Sequence, residues 1–229
     1  MKKKFYIICP FIILLLILVI FITMHLLKSR STHSLASVKQ LLNNPVKSSN
    51  ILVTGNTIEN NNITTYSIYL KDGKEYAYFK NSSNETISET FWDITKKEKI
   101  IVLNSYQKII YSQSPDTDYM ISGNKDFNEF LTLSNDIEYK YLGKTYINNL
   151  ECIKVGLTLY SGNTITKKVY YIVPSEGNII QCETYEGNNK NSLTKTKEEN
   201  YNYQYNIVTD ADIKNFDINN YPGYSEDIG

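Results

Sequence analysis

Histidine and arginine are almost absent from this sequence. The only histidines are His25 and His33 and the only arginine is Arg30, so everything beyond residue 33 lacks both. A Ser-His-Asp or Cys-His nucleophile, a histidine-ligated zinc or iron site and a bidentate guanidinium clamp on phosphate all need those side chains. Most common enzyme mechanisms are thereby excluded. No catalytic residue, metal ligand set or cofactor is assigned, and the protein is expected not to be an enzyme. Acidic residues are also missing from one place: every Asp and Glu lies beyond residue 34, whereas Lys2, Lys3, Lys4, Lys28 and Arg30 precede it. The chain is formally neutral with 24 basic and 24 acidic side chains, but the part after the fifth cation carries 19 against 24, a net of −5. That charge excludes nucleic acid as the expected partner, because such binding draws most of its affinity from phosphate neutralisation.

What is present first is a long apolar run, Phe5 to Leu27, interrupted only by Pro10, Thr23 and His25. At about 1.5 Å per helical residue it spans a hydrocarbon core of about 30 Å. A cleaved signal peptide would show a shorter apolar region of about 7 to 15 residues and a small-x-small site, and neither is found. An uncleaved export signal is the competing reading, and it too delivers the domain outside. The N-terminal lysines outweigh Lys28 and Arg30, which puts the N-terminus in the cytoplasm. The expected organisation is a cytoplasmic tail at 1–4, a transmembrane anchor at 5–27, a juxtamembrane linker at 28–33, an extracytoplasmic domain at 34–222 and a C-terminal tail at 223–229. The expected location is therefore the cell membrane, with a single pass.

In the domain, Ser34 is placed to cap a short helix bearing Leu35, Val38, Leu41 and Leu42, and Asn43-Asn44-Pro45 stops it. Short β-rich runs follow at about 50–58, 63–71, 74–80, 86–93, 99–103 and 106–112. Asp72-Gly73 supplies a type I′ turn and sets Tyr69 opposite Tyr76. A second helix is read at about 125–133, with Asp126 and Glu129 at capping-box spacing and Phe127, Phe130 and Leu131 on one face. Five more runs, at about 137–147, 150–160, 164–173, 178–186 and 197–208, bring the count to about eleven. The fold class is mainly β, a curved antiparallel incomplete barrel with two short helices across its open side. Aligning Ile153, Val155 and Leu157 with Tyr171, Val169 and Lys167, and those with Ile180, Cys182 and Thr184, makes a mostly apolar face. Cys182 then lies on that face and Cys152 on the other, which disfavours a disulfide; a slip of one residue would reverse the parity.

Tyr201, Tyr203, Tyr205 and Ile207 alternate with polar residues and make an aromatic stripe on the last strand. With Phe91, Trp92, Phe127, Phe130 and Leu131 they are the candidate lining of an apolar groove for an acyl chain or a partner segment. The alternative is that they are cross-strand pairs that close the core. Two carboxylate pairs, Asp116/Asp118 and Asp210/Asp212, have the residue types of a calcium site or a glycoside hydrolase, but their turn-like contexts favour solvated turns. Lys195, Lys197, Glu198 and Glu199 read as a charged sheet edge.

The layout of helix, six strands, Phe-rich helix and five strands resembles the LolA-like superfamily of lipoprotein carriers and RseB-type regulators. The resemblance is most specific in "YLGKTYINNLECIKVGLTL" and "KKVYYIVPSEGNIIQCETY", and extends to the closing "ADIKNFDINNYP". It implies a non-enzymatic binding domain whose partner is an envelope protein or a lipid or lipoprotein acyl chain. Unlike a shuttling carrier, this chain has a predicted tether and no arginine in its domain. Abundant Tyr, Asn, Lys and Ile match the coding bias of an AT-rich bacterium. That extends the resemblance to envelope proteins of the GerS type in Gram-positive spore formers, which partner a cell-wall amidase in cortex modification and germination, although the lipobox of those proteins is lacking here.

Overall fold

The computed structural model describes residues 33–46, 48–113 and 122–228. The predicted tail at 1–4, the anchor at 5–27, residues 28–32 of the linker and the Asp116/Asp118 pair lie outside the described residues. Among the described residues no helix is long and apolar enough to cross a membrane. The chain divides into two compact units, Met1–Leu41 and Leu42–Gly229. The described part of the first holds all but the last residue of helix α1 (Leu35–Leu42), which starts where its cap predicts. Ser34 Oγ accepts the Ser37 N–H at 3.2 Å, and the Ser34 carbonyl accepts the Val38 N–H at 3.0 Å, so two of the donors that a helix start leaves unpaired are satisfied.

The second unit is mainly β. Its strands are β1 (Asn50–Glu59), β2 (Asn62–Lys71), β3 (Lys74–Lys80), β4 (Thr86–Asp93), β5 (Glu98–Leu103), β6 (Lys108–Gln113), β7 (Glu138–Ile147), β8 (Leu150–Ser161), β9 (Thr164–Val173), β10 (Asn178–Gly187), β11 (Thr194–Tyr205) and β12 (Ser225–Ile228). Helix α2 (Ser122–Thr132) separates β6 from β7. The strands form one open sheet in the order β12-β6-β5-β4-β3-β2-β1-β11-β10-β9-β8-β7, and it does not close into a barrel. All neighbours are antiparallel except β12 and β6, which run parallel. Two-residue turns set most of this register. Asp72-Gly73 has φ of 49° and 78°, and Asn60-Asn61 (49°, 67°) and Asn148-Asn149 (49°, 65°) repeat the pattern, the left-handed pair that a type I′ hairpin needs. Tyr69 and Tyr76 are opposite each other as expected, with ring centroids 6.2 Å apart.

Several expectations are corrected. The sheet has twelve strands, because Ser225–Ile228, assigned to a tail, pairs with β6. The β8–β9 register lies one residue from the expected one: Ser161 pairs with Thr164, so only Gly162 and Asn163 form the turn, and Ile153 faces Ile172. Gly162 alone has positive φ (57°), which fits a type II′ turn. A bulge at Ile180 then sets Cys182 opposite Tyr170 and not Val169 as expected, which keeps Cys182 on the face of Ile153. Cys182 and Cys152 still fall on opposite faces, and both are free. Asp126 is not a cap, since α2 starts four residues earlier. Strand β11 is interior, between β1 and β10, so Lys195, Lys197, Glu198 and Glu199 are not an edge.

Each sheet face carries its own core. On the face that α2 covers, Ile153, Val155, Leu157, Tyr170, Ile172, Ile179 and Cys182 are buried, and the ladder continues through Val53, Tyr66, Ile68 and Ala77. On the opposite face Tyr76, Phe91, Val102 and Ile109 are buried beneath Phe216, Tyr221 and Tyr224. These last three belong to the segment 206–224, which crosses the strands before it adds β12. It is held at one end by the Asn50 side chain, which donates to the Val208 carbonyl (2.7 Å) and accepts the Val208 N–H (2.8 Å). At the other end the Ser225 N–H donates to the Gln107 carbonyl at 2.9 Å.

Candidate functional site

The structure distributes the predicted groove residues over both faces. Phe127 and Phe130 are buried on α2, with Leu131 half-buried beside them, and the Phe127 ring meets Tyr170 edge-on at 5.0 Å. Tyr201 (buried), Tyr203 and Tyr205 (half-buried) and Trp92 share the α2 face by strand parity. Phe91, the neighbour of Trp92 in one strand, necessarily points to the other face, where it contacts Tyr76 at 5.3 Å and Phe216 at 5.6 Å. The polar tips of the stripe are occupied: Tyr203 Oη donates to the Ile179 carbonyl at 2.8 Å, and Tyr205 is hydrogen-bonded to the Asn178 side chain. Ile207 is outside the strand and 49% exposed.

Beneath α2 lies a polar cluster that charge spacing alone did not reveal. Asp126 accepts from Lys168 Nζ at 2.5 Å and from Tyr170 Oη at 2.9 Å, and Cys182 Sγ is 3.9 Å away. Burial, reinforced by the Asp126 charge, pushes the Cys182 thiol well above its ordinary value. The carboxylate therefore suppresses the thiolate and makes Cys182 a buried small hydrophobe instead of a nucleophile. The cluster seats the helix. Asp126→Asn keeps the phenol bond and strips Lys168 of its counter-charge, and it should cost about 2 kcal/mol, read as a lower midpoint in urea. An unchanged midpoint would show that Lys168 finds compensation in solvent.

The opposite face presents the most organised surface. Strands β2 to β6 stack two cross-strand rows there: Lys71, Lys74, Asp93 and Glu98 at the sheet end, and Tyr69, Tyr76, Phe91, Ile100 and Tyr111 next to it. Phe216 lies edge-on to Tyr111 at 6.0 Å, and Lys214 Nζ stands 4.9 Å above the Tyr76 ring. Between the segment 213–216 and the ends of β3, β4 and β5 is a cavity of about 240 Å³. Phe91, Ile100 and Phe216 supply its buried and half-buried lining; Lys74, Lys96, Glu98 and Lys214 are exposed around it. Sequence reasoning found Phe91 and Trp92 but missed the lysines and Phe216, which only the path of the closing segment brings together.

Glu75, which also lines the cavity, sits between Leu70 and Trp92 in the cross-strand order. Burial raises its pKa from 4.5 to about 7, against the opposing pull of Lys99 and Lys125. The folded state then holds this proton more tightly than the unfolded chain does. Stability should fall as pH rises from about 4.5 to about 7, and Glu75→Gln should flatten that slope. Melting temperatures of both proteins at the two ends of that window test this, and parallel curves would refute it.

Several other carboxylates are paired within the chain. Asp210 pairs with Lys71 at 2.6 Å, and Asp212 accepts the Thr209 N–H and Oγ at 2.7 Å each, so the two serve different partners and not one cleft. Glu89 accepts both Tyr76 Oη (2.8 Å) and Tyr221 Oη (2.9 Å). Lys195 pairs with Glu198 at 2.7 Å and Lys197 with Glu199 at 3.0 Å. Among the described residues no group of three or more His, Cys, Asp or Glu is arranged to hold a metal ion.

No family model matches the sequence, and no curated protein matches it. Solved structures do. An uncharacterized conserved protein from Thermus thermophilus superposes with a TM-score of 0.52 over 85% of this chain and 98% of its own, at 10% identity. MucB superposes with a TM-score of 0.52 over 79% of this chain, at 7% identity, and the overlap spans 62% of MucB's length. What is shared at such identities is the path of the backbone, an open antiparallel sheet with a helix laid on it.

Proposed function

We propose that this chain is a non-enzymatic, membrane-tethered binding protein whose extracytoplasmic domain acts as an adaptor or regulator of another envelope protein. In this reading residues 5–27 hold it in the cytoplasmic membrane with the N-terminus inside. The carrying observation is the surface built by β2–β6 and the closing segment, an aromatic row beside a charged row with a cavity of about 240 Å³ at their junction. Pockets for small-molecule ligands commonly run from about 300 to 1,000 Å³. A cavity below that range accommodates one side chain of a partner better than an acyl chain. The commitment of Asp126, Glu89, Asp210 and Asp212 to in-chain partners also favours binding over catalysis. MucB, which has a similar fold, forms a complex with MucA(peri).

The test is cross-linking of the tagged full-length chain in its native membrane, followed by detergent extraction and mass spectrometry. Enrichment of one envelope protein, a cell-wall amidase being the kind the GerS-type resemblance names, is the expected result. Recovery of bound lipid with no protein partner would instead establish the lipid or lipoprotein-acyl module and end the adaptor reading.

A further inference from the structure

The cavity at the ends of β3, β4 and β5 permits a statement about the partner's chemistry, which rests on the adaptor reading above. Its apolar lining consists of Phe91, which is buried, and Ile100, Ile213 and Phe216, which are half-buried. Its rim is cationic in effect. Lys74, Lys96 and Lys214 are exposed there, against the carboxylates of Asp93 and Glu98, which leaves a net charge of +1. Asp93 accepts from Thr95 Oγ1 (2.6 Å), from the backbone N–H of Thr95 (3.1 Å) and of Lys96 (3.2 Å), and lies 3.7 Å from Lys96 Nζ. Glu75, which pairs with Trp92 across β3 and β4, turns its side chain to the α2 face and adds no charge to this rim. Glu98 remains as the exposed carboxylate of the rim.

We infer that this cavity is the anchor point for a single large apolar side chain, such as Phe or Leu, carried on an acidic segment of the protein partner. Three features select that occupant. The volume suits one side chain and not a long acyl tail. The Phe91–Phe216 pair, with centroids 5.6 Å apart, offers ring faces and edges to an aromatic or aliphatic group. Three lysines against two carboxylates, Asp93 and Glu98, leave the rim net positive, which attracts acidic residues flanking the anchor, an attraction that salt weakens. Burying one apolar side chain in a pocket is also how protein interfaces concentrate their binding energy.

The experiment uses the full chain in nanodiscs and fluorescently labelled acetylated pentapeptides, read by anisotropy at low salt. Glu-Glu-Phe-Glu-Glu should bind at least about tenfold more tightly than Lys-Lys-Phe-Lys-Lys or Glu-Glu-Ala-Glu-Glu, and raising the ionic strength should erode the first difference. The double variant Lys74→Glu/Lys214→Glu alters exposed side chains only, and Ile100→Trp fills the cavity. Each should reduce binding of the acidic Phe peptide by about tenfold or more, with the double variant serving as the test if Ile100→Trp fails to fold. Equal binding of all three peptides, or variants that bind like the parent, would overturn the inference. Displacement of the peptide by dodecanoate would overturn it in favour of a lipid. Repeating the membrane cross-linking with the double variant separates the two levels: capture of the same partner by parent and variant sinks the anchor point alone, whereas no capture by the parent sinks the adaptor reading.

Discussion

Replacing Gly55 with valine should prevent the domain from folding to its native state, a larger effect than any other single substitution proposed for this protein. Gly55 lies in the middle of β1, opposite Tyr201 on one side and Tyr66 on the other. The Tyr66 side chain crosses over it so that its hydroxyl donates to the Asn200 carbonyl at 2.9 Å. A Cβ at position 55 would overlap that carbonyl oxygen and come within 2.6 Å of Tyr66 Cζ. The tyrosine could rotate away, but the carbonyl is backbone in the neighbouring strand and cannot. Relief would require β1 to part from β11, the seam where the first strand of the sheet meets a strand near the C-terminus. Overpacking usually costs about 1 to 3 kcal/mol; a backbone clash at such a seam should exceed that and consume a large part of a stability of about 5 to 15 kcal/mol. Even Gly55→Ala should cost more than about 3 kcal/mol. Gly162→Ala supplies the contrast: its Cβ would meet nothing within 4 Å, and only the positive φ of 57° is strained, so about 1 kcal/mol is expected. Urea unfolding followed by far-ultraviolet circular dichroism ranks the three, and a Gly55→Ala midpoint at or above that of Gly162→Ala would contradict the clash.

The contrast between these glycines also shows where the sequence is informative. Hairpins were legible wherever turn chemistry is local. Asp72-Gly73 fixed its register, and the two Asn-Asn pairs use the same left-handed backbone, although asparagine signals it more weakly than glycine does. At Gly162 the same reasoning missed by one residue, because Ser161-Gly162-Asn163 reads equally well as a three-residue loop, and only the pairing of Ser161 with Thr164 decides. Bulges at Ile180 and at Leu142 next to Gly143 change parity without any compositional signal. Grouping Phe91 with Trp92 in one groove was an error that strand parity alone corrects, since the two are adjacent in β4 and cannot both line one face. The closing segment was least legible. Its contacts through Lys214, Phe216 and Tyr221 join residues far apart in the chain, and β12 is only four residues long. Asp126 resembled a helix cap because the sequence cannot show Lys168 and Tyr170 waiting across the sheet.

Buried amides follow the same rule, and Asn124 is the one on which most depends. It is 1% exposed, and its side chain makes three hydrogen bonds to backbone. The amide nitrogen donates to the carbonyls of Leu42 (3.0 Å) and Gly177 (2.8 Å), and the amide oxygen accepts the Ile179 N–H at 3.1 Å. One side chain thus joins α2, the turn between β9 and β10, and the chain at Leu42. The site also fixes how α2 approaches the sheet, since a Cβ on the preceding Gly123 would already press to 3.0 Å from Ile179. Truncation to alanine would leave two carbonyls and one N–H without their partner in a space too dry to solvate them, and each such loss costs about 1 to 3 kcal/mol. Asn124→Ala should therefore destabilise by about 3 to 5 kcal/mol. Asn124→Asp should be at least as harmful, because a carboxylate in place of the amide donor would face two carbonyl oxygens. The order expected in urea is parent, then Asp126→Asn, then both Asn124 variants. A loss below about 1 kcal/mol for Asn124→Ala would mean that water enters and takes over the three bonds. In that case the seat of α2 would rest on Phe127 and on the ion pair of Asp126 with Lys168, and the Asp126 substitution should become the more damaging of the two.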